Sequence, residues 1–171
     1  MTEGEKRRRN IIEILEESSD PVSGASLASR LGVSRQVIVQ DVALLRAEDR
    51  DILSTYKGYL LDSHQKRRDC VRVFRCRHSS QDTEDELQII VDHGGRALDV
   101  FVEHPIYGQI RADLMISNRL EVAQFMEQMA SRAAKPLNIL TDGWHYHTVT
   151  ASSEEHLDLI GQELKRKGYL E

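Results

Sequence analysis

Hydrophobic residues at the start of the chain recur at helical spacing. In the stretch EKRRRNIIEILEES, Ile11, Ile12 and Leu15 lie on one stripe of a helix, and the Asp-Pro pair that follows ends it. Ser23 is predicted to cap a short second helix that ends at Leu31. The pattern therefore begins with two helices in succession.

A tight turn separates the second helix from a third. Gly32 supplies the left-handed residue that ends one helix, and Ser34 caps the next. The third helix has an inward stripe of Ile38, Val42 and Leu45 and an outer stripe of Gln36, Gln40 and Ala43. Helix, turn and helix in this order predict a helix-turn-helix.

The pattern changes to strand alternation in ILSTYKGYLL. Two short β-rich runs flank Lys57 and Gly58, which predicts a hairpin. A two-stranded hairpin is not stable alone, so we expect it to pack against the helices as a wing.

Three helices followed by a β-wing resemble the winged helix-turn-helix domains of bacterial repressors, especially the type found at the front of the biotin repressor. The resemblance covers roughly residues 5–62, because both caps, the glycine turn and the hairpin occur together. It implies that Arg35, Gln36 and Gln40 enter the major groove of operator DNA, where glutamine pairs with adenine and arginine with guanine. Lys57 at the wing tip is predicted to bind DNA with them. The alternative is that these side chains form a solvated surface.

Charge gives less support for DNA binding. The chain has a formal net charge of -5, and residues 1–62 contain nine Lys and Arg against eleven Asp and Glu. Arg7, Arg8 and Arg9 nevertheless cluster at the start of the first helix, where the helix dipole disfavours cations. DNA phosphate is one expected partner for them, and plain solvation is the alternative. Two copies on a two-fold operator would offset the missing basic charge, so we expect a homodimer.

A second domain is predicted after a polar stretch, DSHQKRRDC, which has no apolar periodicity. We interpret residues 62–69 as a linker between a DNA-binding domain of residues 1–62 and a regulatory domain of residues 63–171. Four alternating segments, CVRVFRCRH, ALDVFVEH, IRADLMI and WHYHTVTA, are predicted strands. Of the three helices around them, the second is predicted to be capped by Ser117 and the third by Ser152, in capping-box spacing with Glu155, with its end at Gly168.

The predicted order of the second domain is βαββαβα, so the chain belongs to the α+β class. This order gives an open-faced sandwich, a sheet with helices on one face only. The other face is then expected to be wet, to carry a ligand or to meet a second subunit.

Composition favours a soluble, cytoplasmic protein. The chain has 171 residues, of which 40% are hydrophobic, but its longest apolar runs are far too short to span a membrane, and no charged-then-apolar leader opens it. Cys70 and Cys76 are expected on one face of a strand, too far apart to form a disulfide, which fits a reducing compartment.

Two histidines stand out in the segment TDGWHYHTV. His145 and His147 project to one side of a strand, while Trp144 and Tyr146 face away. Two imidazoles side by side indicate a metal, but zinc and similar ions take at least three protein ligands.

His78, at the end of the first strand, and Glu86, in the first turn of the next helix, complete a candidate site of three histidines and one glutamate. Each has a simpler interpretation. Glu86 stands at capping-box spacing from Thr83, and His78 alone would be a surface residue. Cys76 is either a soft ligand or an ordinary buried strand cysteine. The remaining histidines are interpreted as linker, strand-end or helix-end residues: His64, His93, His104 and His156.

The segments DVFVEHPIYGQI, ISNRLEVAQFM and LTDGWHYHTV, in this order behind a winged helix, resemble the 3H domain of niacin-responsive transcriptional repressors. The resemblance covers nearly the whole chain. It implies a homodimer that binds operator DNA, uses nicotinic acid as corepressor and represses niacin uptake or NAD biosynthesis genes. It also implies a regulatory domain like the phosphocarrier protein HPr, and His78, Glu86, His145 and His147 as ligands of a divalent transition metal, Ni, Zn, Fe or Mn. Trp144 departs from the smaller aliphatic residue that we expect in the family at that position.

The resemblance implies regulation by linkage and no enzymatic activity. As a hypothesis, an open metal position accepts the pyridine nitrogen, and Tyr107, the Gly108 backbone or Arg111 orients the carboxylate, with His104 nearby. Two other functions compete: a pure metal sensor, and a metal-dependent hydrolase fused to a DNA-binding domain, for which Asp142 is the nearest candidate base. A biotin ligase is excluded because the Gly- and Arg-rich phosphate loop of such ligases is missing.

Overall fold

The computed structural model describes residues 1–62 and 69–171, and the chain divides into two compact units, Met1–Arg67 and Arg68–Glu171. The predicted linker of residues 62–69, including His64, lies almost wholly outside the described residues. Each unit has its own hydrophobic core and is described by itself.

The N-terminal unit contains the three predicted helices and the predicted hairpin. Its elements are α1 (Glu3–Glu17), α2 (Gly24–Leu31), α3 (Arg35–Ala47), β1 (Ile52–Ser54) and β2 (Tyr59–Leu61). The predicted caps are present, because the side chains of Ser23 and Ser34 accept hydrogen bonds from backbone amides of α2 and α3, and Gly32 is left-handed at φ 66°. The core includes Ile11, Leu15, Leu27, Ile38, Val42, Leu45 and Ile52.

The hairpin is fixed to the helices through its second strand. Val22 and Tyr59 exchange two backbone hydrogen bonds of 2.8 Å just before α2 begins. Gly58 makes this approach possible, since a Cβ atom at that position would collide with the carbonyl of Val22. The hairpin is therefore a packed wing, as predicted.

The C-terminal unit has the predicted βαββαβα order. Its elements are β3 (Cys70–Arg77), α4 (Thr83–Asp92), β4 (Gly95–His104), β5 (Gly108–Ile116), α5 (Arg119–Ser131), β6 (Trp144–Ala151) and α6 (Glu154–Arg166). The four strands form one sheet in the order β3-β6-β4-β5, with antiparallel neighbours throughout. Two short 3₁₀ helices, Ser80–Asp82 and Leu137–Thr141, were not predicted.

Both predicted caps of α5 and α6 were wrong by one residue. Asn118, not Ser117, accepts the hydrogen bond from the backbone of α5, while the Ser117 amide donates to the carboxylate of Glu121. Ser153, not Ser152, caps α6. Adjacent Ser and Asn residues are equally good caps by type, so the sequence pattern does not choose between them.

The sheet has one covered and one open face. On β3, Phe74 and Cys76 are buried toward the helices, while Val71 and Val73 on the other side are 57% and 51% exposed. Arg72 on the covered side reaches α6, where it pairs with two acidic residues. The open-faced arrangement therefore agrees with the prediction.

An irregularity in β4 shapes the covered face. Ala97 pairs with Val149 but Phe101 pairs with Tyr146, so β4 carries one residue more than β6 over this interval. The bulge turns the carbonyl of Asp99 toward His147. Beyond it, Phe101 lies on the open face, where its ring stacks on Tyr146 with centroids 4.8 Å apart.

Candidate functional site

The four residues predicted to bind a metal lie together beneath the helices. Glu86 in α4 is 1% exposed, and the imidazole Nε2 atoms of three histidines surround its carboxylate. Nε2 of His78 lies 2.7 Å from Oε2, Nε2 of His145 lies 2.9 Å from Oε1, and Nε2 of His147 lies 3.2 Å from Oε2. Glu86 thus meets His145 and His147 of β6, which are 59 and 61 positions away in the sequence, together with His78 from the loop after β3.

Each imidazole is oriented by a hydrogen bond to the backbone. Nδ1 of His78 donates to the carbonyl of Ser79, Nδ1 of His145 to Gly143 and Nδ1 of His147 to Asp99, at 2.7 to 2.8 Å. A carbonyl oxygen only accepts, so Nδ1 carries the proton in each ring. Nε2 is then the lone-pair nitrogen in the neutral imidazole. All three lone pairs point toward Glu86.

Gly143, whose carbonyl accepts the hydrogen bond from His145, has a backbone conformation that favours glycine. It has φ +87°, and a Cβ atom there would lie 2.7 Å from the carbonyl oxygen of His78. The amide of His78 in turn donates to the carbonyl of Gly143. The Asp-Gly turn before β6 thus holds His78 and His145 in place together.

The cluster perturbs its own ionisation. Burial raises the pKa of Glu86, but the neighbouring histidines, His147 foremost, outweigh burial and hold that pKa well below its usual value. Burial lowers the pKa of His78 and His147, yet the Glu86 carboxylate raises both pKa values by more. The raised pKa values of His78 and His147 favour their protonated forms, whose positive charge offsets the negative charge of the buried carboxylate.

The donor set suits a divalent transition metal. Three neutral imidazoles and one carboxylate are ligands that Zn, Ni, Fe and Mn accept, and backbone-anchored histidines are typical of metal sites. Nε2 of His78 is buried without a hydrogen-bond partner of good geometry, as expected for a nitrogen that binds a metal ion. Glu86 does not cap its helix, because the N-cap position of α4 is Asp82.

Cys76 adjoins the cluster. It pairs with His145 across the β3-β6 ladder and is 0% exposed. Its Sγ atom, a Glu86 oxygen and a His145 nitrogen lie within 4.8 Å of one another. Burial, with a further contribution from Glu86, raises the pKa of the Cys76 thiol well above its usual range. Cys70, by contrast, lies at the far end of β3 opposite Ala151, and both cysteines are free thiols.

A cavity of about 180 Å³ opens beside the cluster. His145, His147 and Glu86 line it, and apolar side chains from α4, α5, the sheet and the 3₁₀ helix after α5 form most of the rest: Leu87, Val100, Ala112, Leu114, Phe125, Met129 and Leu137. Its polar lining also includes Thr83, Lys135 and Asn138. Oγ1 of Thr83 and Oδ1 of Asn138 are buried without hydrogen-bond partners among the described protein atoms.

Sequence reasoning missed this cavity. Its lining comes from two helices, three strands and the segment KPLN after α5, which share no spacing in the sequence. The one available signal was the position of Lys135 and Asn138 shortly before the two histidines of β6.

The structure does not bring the predicted corepressor contacts to the cluster. Tyr107 lies on the turn between β4 and β5, where it is 78% exposed, and Gly108 is the exposed first residue of β5. Nδ1 of His104 accepts hydrogen bonds from two amides of that turn, so this ring stabilises the hairpin. Arg111 pairs with Asp99 and Asp113. None of the four residues lines the cavity beside the cluster.

Asp142, the candidate general base of a hydrolase, lies in the turn before β6. The Asp142 side chain is 91% exposed and pairs with Arg77 at 2.9 Å. It belongs to the surface of the turn rather than to the cluster.

The predicted DNA-binding surface has the expected exposure on α3. Arg35, Gln36 and Gln40 are exposed, and so are Val39 and Ala43 on the same helix. Lys57 lies at the wing tip with its ammonium 5.7 Å from the centre of the Tyr56 ring. The helix thus exposes long polar side chains that can hydrogen-bond to base edges, together with small apolar side chains.

Arg7 and Arg8, two of the predicted DNA contacts, have an ion-pair partner within the N-terminal unit. Arg7 pairs with Asp41 of α3 through Nε at 2.5 Å, and Arg8 lies 3.5 Å from the same carboxylate. Asp41 is 3% exposed, so these arginines have a buried partner within the unit, and DNA phosphate is not needed to explain them. Arg9 pairs with Glu13 one helical turn away.

Comparison with known proteins agrees with both units. Residues 71–171 match the 3H domain, and residues 7–60 match an HTH domain. The chain is 43% identical over 166 residues to the probable transcription repressor NiaR of Thermotoga maritima, covering 97% of this chain and 94% of that protein. It is 41% identical over 169 residues to the transcription repressor NadR of Bacillus subtilis, covering 98% and 94%. Among the helices of the described residues, none is both long and apolar enough to cross a bilayer.

Proposed function

This chain belongs to the family of transcription repressors that join an HTH domain to a 3H domain, and on that premise we propose that nicotinic acid is its corepressor. The proposed targets are genes for niacin uptake or NAD biosynthesis. The protein is a DNA-binding regulator rather than an enzyme, because its relatives are named as repressors.

The regulatory domain is proposed to hold one divalent transition metal ion. His78, Glu86, His145 and His147 would be its ligands, and Ni, Zn, Fe and Mn all suit this set. The observation that carries the proposal is the shared orientation of the three imidazoles, since each Nδ1 proton is donated to a carbonyl and each Nε2 faces the carboxylate. A bound ion that accepts more than four ligands would offer an open position to the nitrogen of a pyridine ring.

The cavity beside the cluster is the proposed corepressor site. Its volume of about 180 Å³ is enough for one six-membered ring, because cavities of roughly 150 Å³ admit benzene. Lys135 at the mouth provides a cation for a carboxylate, and the unpaired Thr83 hydroxyl provides a donor. An amide in place of the acid would lose the charge pairing with Lys135, so we expect nicotinic acid to bind more tightly than nicotinamide.

Repression then follows by linkage. Nicotinic acid must bind the DNA-competent state more tightly than the incompetent state, with a coupling free energy typically of about 1–3 kcal/mol. Tight binding without that difference would leave operator affinity unchanged.

The DNA-competent state is proposed to be a homodimer. Residues 1–62 carry nine cations against eleven anions, so one copy has little electrostatic attraction for DNA. Two copies of α3 on a two-fold operator would supply the missing affinity. The proposed location is the cytoplasm, where bacterial operators lie.

The proposal is tested by the melting temperature of metal-loaded protein during titration with nicotinic acid or nicotinamide. We expect a rise with the acid, a smaller or no rise with the amide, and no rise after chelation. Lys135→Met should abolish the rise, and Lys165→Met, which removes a cation from α6 away from the cavity, should preserve it. A wild-type protein that responds to neither compound would contradict the assigned corepressor.

Metal sensing is the second candidate function, since the cluster has a complete ligand set of its own. It predicts that operator binding follows metal concentration with no organic ligand present. An operator affinity that depends on nicotinic acid at constant, saturating metal would exclude it.

A further inference from the structure

We propose that Cys76 is a fifth protein donor to the metal, binding as a thiolate and selecting soft and borderline ions such as Zn, Ni and Co over Mn and Mg. The inference rests on the proposed metal-binding function of the histidine cluster. It adds a ligand to the four already assigned.

Position is the first support. Cys76 lies directly opposite His145 on the neighbouring strand, so both side chains project to the covered face of the sheet. It is 0% exposed, and its thiol interacts with the Glu86 carboxylate that the histidines share. A buried cysteine that only fills space in the core packs equally well among apolar side chains and does not require a carboxylate beside it.

Distance is the second support. The donor atoms of Cys76, Glu86 and His145 lie within 4.8 Å of one another. Two ligands of one tetrahedral ion lie about 3.6 Å apart, given metal–sulfur and metal–nitrogen bonds of roughly 2.3 and 2.1 Å. Side-chain shifts of up to roughly 1 Å would therefore bring all three atoms into one coordination sphere.

Charge is the third support. With neutral histidines, a dication and the Glu86 carboxylate leave one uncompensated positive charge in a buried site. Such a charge is costly away from water. A Cys76 thiolate makes the site neutral. Binding forms a metal–sulfur bond, and the thiol proton passes to the buffer, since a coordinating thiol is deprotonated by the ion.

Cobalt(II) provides the direct test, because thiolate ligation adds a sulfur-to-cobalt charge-transfer band in the near ultraviolet to the visible d–d bands of the bound ion. Metal-free full-length protein is titrated with Co²⁺ in three forms: wild type, Cys76→Ala and Cys70→Ala. Cys70 is the matched control because it is the other free thiol of the chain, on the same strand and away from the cluster.

We expect the charge-transfer band in wild type and Cys70→Ala and its loss in Cys76→Ala, which should keep the d–d bands. A wild-type spectrum with d–d bands and no charge-transfer band would overturn the thiolate ligand while leaving the metal site intact. A spectrum without d–d bands would overturn the metal site and the thiolate together.

Metal preference is a second readout that does not depend on how one variant folds. In competition between Zn²⁺ and Mn²⁺, both Cys76→Ala and Cys76→Ser should lower the preference for zinc by roughly tenfold or more relative to Cys70→Ala. An unchanged preference in both variants would show that Cys76 is an ordinary buried cysteine.

Discussion

Glu86→Gln should destabilise the metal-free regulatory unit strongly, and only over a defined pH range. The wild-type carboxylate is 1% exposed and meets the Nε2 atoms of three buried histidines at 2.7 to 3.2 Å. Glutamine has nearly the same shape but no charge. Removing one partner from a buried ion pair costs about 3–5 kcal/mol, because the remaining charge stays buried without compensation.

The pH range follows from the pKa directions. The folded pKa of His78 and His147 is raised above 6.5, so their contribution is complete below pH 6.5 and is lost as pH rises through the folded value. The folded pKa of Glu86 lies well below 4.5, so its contribution is present above pH 4.5 and is lost as pH falls through the folded value. The substitution should therefore cost most between pH 4.5 and 6.5 and least in alkaline buffer.

Urea unfolding of the full chain in the presence of a chelator measures this cost. Trp144, the one tryptophan of the chain, lies in the regulatory unit and reports its unfolding by fluorescence. Glu84→Gln is the matched control, since Glu84 is exposed on the same helix, and its replacement should change stability by less than about 0.5 kcal/mol. An equal cost of Glu86→Gln at pH values near 6 and near 9, or a cost below about 1 kcal/mol at the lower pH, would refute the buried ion pair.

Three further predictions concern the cluster and the DNA-binding unit. His147→Ala should lower metal affinity by roughly tenfold or more in a competition with a chromogenic chelator, whereas His104→Ala, on the exposed hairpin, should not; equal losses would place the metal elsewhere. Gly143→Ala should destabilise the unit by at least about 1–2 kcal/mol in urea and weaken metal binding, because the new Cβ atom would lie 2.7 Å from the carbonyl oxygen of His78. The control Gly168→Ala, at φ +79° with no atom near its Cβ position, should leave metal binding unchanged. Equal metal affinities of the two variants would contradict the role of Gly143. Asp41→Asn should lower the stability of the N-terminal unit by about 1.5–3 kcal/mol, followed by circular dichroism of its helices, since two arginines lose a buried anionic partner; an unchanged transition would show that the pair is dispensable.

Local signals explain why most of the architecture was predictable. Ser23, Gly32 and Ser34 each act on the backbone within a few residues, so their types predict the turn between α2 and α3 directly. His145 and His147 share a face because of strand alternation alone. Their meeting with Glu86 needed only the short connection between β3 and α4.

Other features depend on distant contacts. The partner of Arg7 is Asp41, which lies 34 residues away on another helix, and nothing in the local pattern marks that pairing. The bulge in β4 changes which side chains reach the covered face, and a strict alternation of β4 does not show it. The corepressor cavity is the clearest case, because Phe125, Lys135 and Thr83 meet there only after the whole unit has folded.

Operator binding during a titration with nicotinic acid tests whether nicotinic acid acts as the corepressor. A fluorescent operator, obtained by in vitro selection with this protein, is titrated with metal-loaded protein, and anisotropy gives the affinity at each concentration of nicotinic acid. We expect operator affinity to rise by about 5- to 150-fold as nicotinic acid saturates the protein, and we expect chelation or Lys135→Met to remove the rise. Operator affinity that stays constant while nicotinic acid binds the protein would contradict this expectation.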